Sequence, residues 1–160
     1  MGLFEEFATD DKEEVEGVWA EMSEGVKLKL KRAGGANKAY ESMHLAKLKP
    51  YRNRLKGGTV PPVMLPIMRG INRECFAKTV VADWQTKIGE EWHSGIQGFE
   101  EVDGRTQSIA VNGPSDLWPV TEKNIKLMFE ALPEFFELVA AFADDAAAFR
   151  EEGLETIEGN

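Results

Sequence analysis

The stretch "GVWAEMSEGVKLKLKR" (17–32) alternates between apolar and polar residues, and this pattern decides one half of the fold. In its second part Val26, Leu28 and Leu30 alternate with lysines, and a period of two is typical of a strand with one buried face. The first part alternates in the same way at Val18, Ala20 and Met22. Gly25 lies between the two parts, at a position suited to a turn. The stretch therefore predicts a β-hairpin near the N-terminus.

Two helices are predicted after this hairpin. Adjacent glycines interrupt the second strand, and a helix is predicted to begin near Asn37 and to continue to about Lys49, where a proline follows. The next helix is expected to include Pro66 in its first turn and to run to about Asp83, ending near Trp84. Its apolar face is predicted to consist of Met68, Ile71, Cys75, Thr79 and Ala82, with Phe76 and Val80 beside them.

The segment "LWPVTEKNIKLMFEALPEFFELVA" (117–140) predicts two further helices, separated at Pro133. Thr121 is a good N-cap for the first of them, and a proline can begin the second. The predicted core residues of the first helix are Ile125, Met128, Phe129 and Leu132. Those of the second helix and the residues after it are Phe135, Leu138, Val139, Phe142, Ala146 and Phe149.

Residues 85–116, between these helical regions, are rich in glycine and lack a clear period. Within them "EEVDGRTQSIAV" (100–111) contains an Asp-Gly turn signal, which favours a small hairpin. The chain is therefore predicted to have an α+β fold, mainly α-helical, with an N-terminal β-hairpin, about four helices, and a small irregular or hairpin insertion at 85–116. Residues 1–150 are predicted to form a single globular domain, and residues 151–160 a polar, flexible tail.

The composition predicts a soluble protein located in the cytoplasm. The sequence has no run of about 18 apolar residues, the length of a membrane-spanning helix. The opening residues "MGLFEEF" lack the basic and apolar regions of a signal peptide, and Glu6 stands where N-myristoylation requires Ser or Thr. The single cysteine, Cys75, fits a reducing compartment because it has no partner for an internal disulfide.

Charge is distributed unevenly along the chain. The formal net charge of −9 argues against a general nucleic-acid binder. The segment from Lys27 to Lys56 contains ten Lys or Arg residues and one acid, Glu41, whereas both ends of the chain are acidic. Near the N-terminus a short apolar arm consists of Leu3, Phe4 and Phe7. This arrangement favours charge contacts within the molecule or between copies of it.

Few residues suited to catalysis or metal binding are present. Two histidines, His44 and His93, together with Cys75 provide too few ligands for a structural zinc site. Glu90 and Glu91 lie next to His93 and could orient it, but many loops contain such a group. No nucleophile-elbow, P-loop, dinucleotide-binding or H-E-x-x-H pattern occurs. We therefore predict no catalytic, cofactor-binding or metal-binding residues; a dyad of Cys75 with a histidine is the enzymatic alternative.

Several short motifs follow one another in an order found in a known family. A strand pair leads into a helix with an "N..Y" motif, here Asn37 and Tyr40. A later helix ends in a tryptophan, here Trp84 in "VVADWQ" (80–85). A "P-x-T-x-x-N" start comes next, formed by Pro119, Thr121 and Asn124. A leucine-proline break and a phenylalanine-rich helix complete the order, which resembles the tail assembly chaperones of long-tailed bacteriophages.

This resemblance implies a protein without enzymatic activity that acts in the host cytoplasm. Members of the family coat the long helical tape-measure protein and deliver tail-tube subunits before they leave the tail. The expected partners are therefore the tape-measure protein and the tail-tube protein. The charge pattern and the apolar arm add further copies of this chain as a partner, and neither a membrane nor a cofactor is expected. Two other functions stay open: a structural phage or cytoplasmic adaptor protein retained in its assembly, and a nucleic-acid-binding module that uses the basic segment.

The phenylalanine-rich helix carries the predicted partner-binding face. Phe136, Ala140, Ala143 and Ala147 lie at i, i+4, i+7 and i+11, beside the predicted core stripe. Aromatic and alanine-sized side chains at this spacing can cover an apolar helix of the tape measure. The alternative is that the helix is buried on both faces.

Overall fold

In the computed structural model, which describes residues 2–150, the alternating stretch near the N-terminus forms the predicted hairpin. Strand β1 (Val18–Ser23) pairs with β2 (Val26–Leu30) in antiparallel register. Gly25 occupies the turn with a φ of 76°, in the left-handed region that glycine adopts without steric cost. The hairpin prediction is confirmed.

Two strands from the middle of the chain extend this hairpin into a sheet. β2 pairs with β3 (Val81–Ile88), and β3 pairs with β4 (Glu91–Ser94), which gives a four-stranded antiparallel sheet in the order β1-β2-β3-β4. One face of the sheet packs against the helices. The core residues on this face are Ala20, Leu28, Leu30 and Trp84. The fold is therefore α+β and mainly helical, as predicted.

The helix predicted to run to Asp83 ends earlier than expected. α4 (Leu65–Thr79) has Pro66 in its first turn, as predicted, but Val81 already belongs to β3. Trp84, predicted to end the helix, lies within β3 and is only 2% exposed. The prediction for residues 80–85 was therefore wrong.

The strand that replaces the predicted end of the helix contains a bulge. Leu30 pairs with Val81, whereas the preceding residue of β2 pairs with Asp83, so Ala82 is an extra residue in the ladder. As a result Val81 and Trp84 both face the core although they are three residues apart, whereas a regular strand would place such residues on opposite faces. Ala82, which was predicted to lie on the buried face of the helix, is exposed.

Residues 85–116 contain more regular structure than predicted. They include the end of β3 and all of β4, and they contain the predicted Asp-Gly hairpin, formed by β5 (Phe99–Val102) and β6 (Arg105–Ser108). Asp103 and Gly104 have φ values of 52° and 77°, as a two-residue type I′ turn requires. The side chains of this hairpin are exposed except that of Phe99, whose ring packs on Trp118.

The remaining helices form close to their predicted positions. They are α3 (Lys38–Leu48), α5 (Glu122–Ala131) and α6 (Pro133–Asp144). Thr121 caps α5 as predicted, because its hydroxyl accepts a hydrogen bond from the backbone N–H of Asn124 at 3.2 Å. Short 3₁₀ helices occupy Lys49–Leu55, Pro62–Met64, Pro114–Asp116 and Ala146–Phe149.

The buried face of α6 differs from the predicted one. Val139 and Ala143 are fully buried, whereas Leu132 and Leu138, which were predicted to lie in the core, are 46% and 57% exposed. Leu132 adopts a ψ of 74°, so the chain turns between α5 and α6 and the stripe of α5 does not continue into α6. The other predicted core residues of α5 are buried: Ile125, Met128 and Phe129.

Two short helices that the sequence did not predict precede the hairpin. They are α1 (Leu3–Phe7) and α2 (Asp11–Glu16). No residue of α1 is buried, whereas α2 is anchored by Glu14, which is 2% exposed. The carboxylate of Glu14 accepts a hydrogen bond from the Arg32 guanidinium at 2.7 Å. The tail predicted for residues 151–160 lies outside the described residues.

Gly34, Gly35 and Asn37 shape the loop after β2, which lies against the carboxylate of Glu14. A Cβ on Gly35 would collide with the carboxylate of Glu14, and its φ of 52° also favours glycine. The buried side-chain amide of Asn37 donates to the carbonyls of Arg32 and Thr79, each at 2.9 Å. The "N" of the "N..Y" motif therefore joins the end of β2 to the end of α4.

Candidate partner-binding surfaces

A groove runs between α4 and α6, with α3 at one end. At this end a cavity of about 310 Å³ lies beside Phe76 of α4 and Phe136 of α6, whose rings meet edge to face at 5.1 Å. The other residues that line this cavity are Ala33, Tyr40, Asn72, Ala140, Ala141 and Asp144. We call this cavity and its continuation along the two helices the α4–α6 groove.

The structure brings two of the four predicted partner-binding residues together in this groove. Phe136 and Ala140 line it. Ala143 is fully buried in the core, so it presents no surface to a partner. Ala147 is half-buried in the 3₁₀ helix after α6 and does not line the groove. Partner binding by Phe136 and Ala140 stays a prediction.

Polar contacts surround the α3 end of the groove. His44 of α3 and Asn72 of α4 are joined by a hydrogen bond of 3.0 Å between Nε2 and Oδ1. Lys47 and Glu74 form a second link between these helices, with Nζ and the carboxylate 3.0 Å apart. Burial raises the pKa of Tyr40, whose ring also packs against Phe76. These contacts fix α3 on α4 and leave the open part of the groove toward α6.

The groove continues along α4 into a cavity of about 450 Å³ with a basic wall. This wall is formed by Arg69 and Arg73, and the facing wall by Pro133, Phe136 and Glu137. Neither arginine forms an ion pair within the described residues, and Nε of Arg73 is buried there without a hydrogen-bond partner. This end of the groove therefore combines apolar surface with donors that have no acceptor.

A second apolar surface lies on the other flank of α6, next to the edge strand β1. A cleft of about 570 Å³ is lined by Met22 of β1 and by Leu132, Pro133, Phe135 and Leu138 around the start of α6. Its remaining lining residues are Ser23, Ala131 and Glu134. We call this surface the α6–β1 cleft. It exposes two large aliphatic side chains, those of Leu132 and Leu138, beside an aromatic ring.

Sequence reasoning missed this cleft because its leucines were placed in the core. Leu132 and Leu138 fit the apolar stripes of α5 and α6 at helical spacing. The proline after Leu132 was a signal that the two stripes need not be continuous, since a new helix can begin there in another direction. The direction itself depends on packing against the sheet, which the local sequence does not contain.

The residues considered for catalysis lie in different places: His44 at the α3 end of the groove, Cys75 in the core and His93 on the sheet. Burial raises the pKa of the Cys75 thiol, which disfavours the nucleophilic thiolate. His93 lies on β4 with its Nε2 3.6 Å from a carboxylate oxygen of Glu91. Among residues 2–150, no hydrogen bond joins Cys75 to a histidine, and no cluster of three His, Cys, Asp or Glu side chains is arranged to hold a metal.

The outer face of the sheet carries the lysines of the basic segment together with two tryptophans. Nζ of Lys27 lies 5.1 Å from the ring of Trp19 and 4.5 Å from the ring of Trp92. Lys87 adds a weaker contact with Trp92, at 5.9 Å. These cation–π contacts join β2 to β1 and to β4, and β3 to β4.

Comparisons of the chain with protein-family models, with curated proteins and with solved structures found no match. Within residues 2–150, no helix has the length and apolar character needed to cross a membrane. The two surfaces on α6 are therefore interpreted from their own geometry and chemistry.

Proposed function

We propose that this protein is a tail assembly chaperone of a long-tailed bacteriophage. In the host cytoplasm it binds and solubilises the tape-measure protein and helps to recruit tail-tube subunits. The observation that carries the proposal is the α6–β1 cleft, with its exposed Leu132 and Leu138. The motifs at Asn37 and Thr121 support the family, whereas Trp84, which lies in a strand, does not.

The chemistry of the cleft suits an amphipathic helix. A long helical tape measure exposes apolar stripes that aggregate unless they are covered. Helices that bind in grooves insert apolar side chains at i, i+3 or i+4, and i+7. The cleft, of about 570 Å³, offers Leu132, Phe135 and Leu138 to such side chains. Glu134 at its edge favours a partner helix with a basic residue beside its apolar stripe.

Co-expression with a tape-measure fragment tests this proposal. A long reading frame downstream of this gene with sustained helical periodicity is the expected source of the fragment. The variants to compare are Leu138→Asp, in the cleft, and Leu45→Asp, a matched control on α3 where the leucine is 64% exposed. We expect the wild type and Leu45→Asp to keep the fragment soluble and Leu138→Asp to lose it. A fragment that stays insoluble with the wild type, or that is equally soluble with all three, would refute the proposal.

Two observations distinguish the alternative functions. A structural or adaptor protein retained in its assembly would be found in purified virions, whereas a chaperone would be absent from them. A nucleic-acid-binding module would bind single strands through Trp19, Lys27 and Trp92 on the outer face of the sheet. Such binding would weaken steeply with rising salt concentration.

A further inference from the structure

The helix α1 exposes an apolar surface that no other residue in the described range 2–150 covers. Leu3, Phe4 and Phe7 are 76%, 78% and 64% exposed. At about 100° per residue these three side chains form one arc of the helix, and Glu5 and Glu6 lie on its two sides. A helix of five residues has little stability alone in water, so a surface that receives this arc would also stabilise the helix.

The α4–α6 groove offers a surface of complementary chemistry. Its apolar wall contains Pro133 and Phe136, and its basic wall contains Arg69 and Arg73. Neither arginine forms an ion pair in the described part of the chain. A carboxylate delivered by a partner would pair with either guanidinium at the groove wall. Among residues 2–150, Glu137 is the only acidic residue that lines this end of the groove. With two arginines and one glutamate, this end of the groove has a positive net charge.

We propose that α1 of one copy of the chain binds the α4–α6 groove of a second copy. The apolar arc, with Phe4 and Phe7, packs on Pro133 and Phe136, and the flanking carboxylates pair with the two arginines. The acidic N-terminal region and the basic wall attract each other before contact.

In the structure α1 does not occupy the groove of its own chain. No residue of α1 lines the groove, and Leu3, Phe4 and Phe7 are exposed. Asp10, three residues after α1, is held near the C-terminal end of the fold, where its backbone N–H donates to the carbonyl of Phe149 at 2.7 Å. The groove of a second copy accepts α1 without displacing this contact.

This contact can be tested separately from the proposed function, because the two surfaces share Pro133 but otherwise use opposite flanks of α6. Phe136 and Glu137 face the groove, whereas Phe135 and Leu138 face the cleft. Leu138→Asp should therefore leave self-association unchanged, and variants of α1 should leave tape-measure binding unchanged. The failure of one proposal can thus be told from the failure of the other.

Sedimentation of the full chain over a wide range of concentrations tests the contact. We expect the wild type to self-associate at low salt and less at high salt. The double variants Phe4→Asp/Phe7→Asp and Arg69→Glu/Arg73→Glu should each raise the dissociation constant by at least about tenfold. Circular dichroism melts should show that both variants remain folded, since all four side chains lie at the surface or on the groove wall.

Mixing these two variants provides the decisive arm of the experiment. One retains an intact groove and the other an intact α1, so the mixture should form a heterodimer although neither variant associates alone. A chain in which the charges of both surfaces are reversed, by Glu5→Arg/Glu6→Arg and Arg69→Glu/Arg73→Glu, should self-associate again. A wild type that stays monomeric at every concentration, or Arg69→Glu/Arg73→Glu protein that associates like the wild type, would overturn the proposal.

Discussion

Glu14 shows how a single charged residue can hold together parts of the chain that lie far apart in sequence. Its buried carboxylate accepts hydrogen bonds from Thr9, Arg32 and the backbone N–H of Ala36. The glycines after β2 let this loop approach the carboxylate closely. The contact therefore joins α2, the end of β2 and the loop before α3, although the sequence pattern marks Glu14 only as one acid among several.

We predict that Glu14→Ala lowers the free energy of unfolding by about 3–5 kcal/mol, because it leaves the Arg32 guanidinium without its partner. Glu16→Ala, at an exposed position of the same helix, should change it by less than about 0.5 kcal/mol. Urea denaturation of the two variants measures both effects. Equal stability of the two variants would contradict the role assigned to Glu14.

Cys75 gives a prediction for the dependence of stability on pH. Burial raises the pKa of its thiol in the folded state, so the folded protein holds this proton at pH values where the unfolded chain has released it. The contribution is fully present below the ordinary thiol pKa of about 8.5 and is lost as pH rises through the higher folded-state value. Tyr40, whose pKa burial also raises, acts in the same direction at higher pH.

Stability should therefore fall between about pH 8 and about pH 10. In Cys75→Ala the decrease over this interval should be smaller than in the wild type, although the variant starts from a lower stability because of the cavity. Urea midpoints at the two pH values measure the decrease in each protein. If both proteins lose the same amount, Cys75 does not contribute as described.

Local signals are the part of the fold that individual residues predict well. Thr121 caps α5, and the Asp103-Gly104 pair turns the small hairpin, because both effects depend on neighbours within a few residues. The exposure of Leu132 and Leu138 could not be predicted in this way. It depends on how α6 lies against β1, more than a hundred residues away in sequence.

Among the elements, α6 has the clearest separation of faces. Val139 is fully buried against the sheet, whereas the adjacent Leu138 is 57% exposed in the α6–β1 cleft. The sequence indicated α6 as the partner-binding element, but it placed the exposed leucines of the cleft in the core. Partner binding by Phe136 and Ala140, which line the other groove, stays a prediction. Apolar residues all round a helix leave its rotation undetermined until its neighbours are known.

We predict that the same substitution has opposite effects on folding at the adjacent residues Leu138 and Val139. Val139→Asp places an unpaired charge in the core and should prevent folding or lower the melting temperature strongly. Leu138→Asp should change the free energy of unfolding by less than about 1 kcal/mol, because the charge stays in water. Thermal melts followed by circular dichroism measure both. A collapse of the fold in Leu138→Asp would show that Leu138 is a core residue.

The boundary between α4 and β3 shows where element prediction fails for a physical reason. The predicted end of the helix is replaced by β3 from Val81 onward, and pairing with β2, about fifty residues earlier, decides between helix and strand. Long-range pairing of this kind overrides local preference. The helix α1 was missed for the opposite reason, because it is too short to show a period.

For the whole molecule, the sequence predicted the fold class but not the way in which the sheet is completed. The hairpin near the N-terminus is extended by β3 and β4. These strands come from the region that was predicted to contain the end of a helix and an irregular insertion. The uneven charge is used in part within the molecule, where Arg32 of the basic segment binds Glu14 of the acidic N-terminal region. The remaining acidic surface of α1 and the basic wall of the α4–α6 groove are the basis of the proposed self-association.

Photo-crosslinking tests most directly whether the α6–β1 cleft binds the tape-measure protein. A photoreactive amino acid replaces Leu138 in the cleft or, as a control, Leu45 on α3, since both leucines are more than half exposed. Each protein is co-expressed with the tape-measure fragment and irradiated. We predict a crosslinked product with the fragment from position 138 and little or none from position 45. Crosslinking from position 45 alone, or to the same extent from both positions, would contradict binding in the cleft.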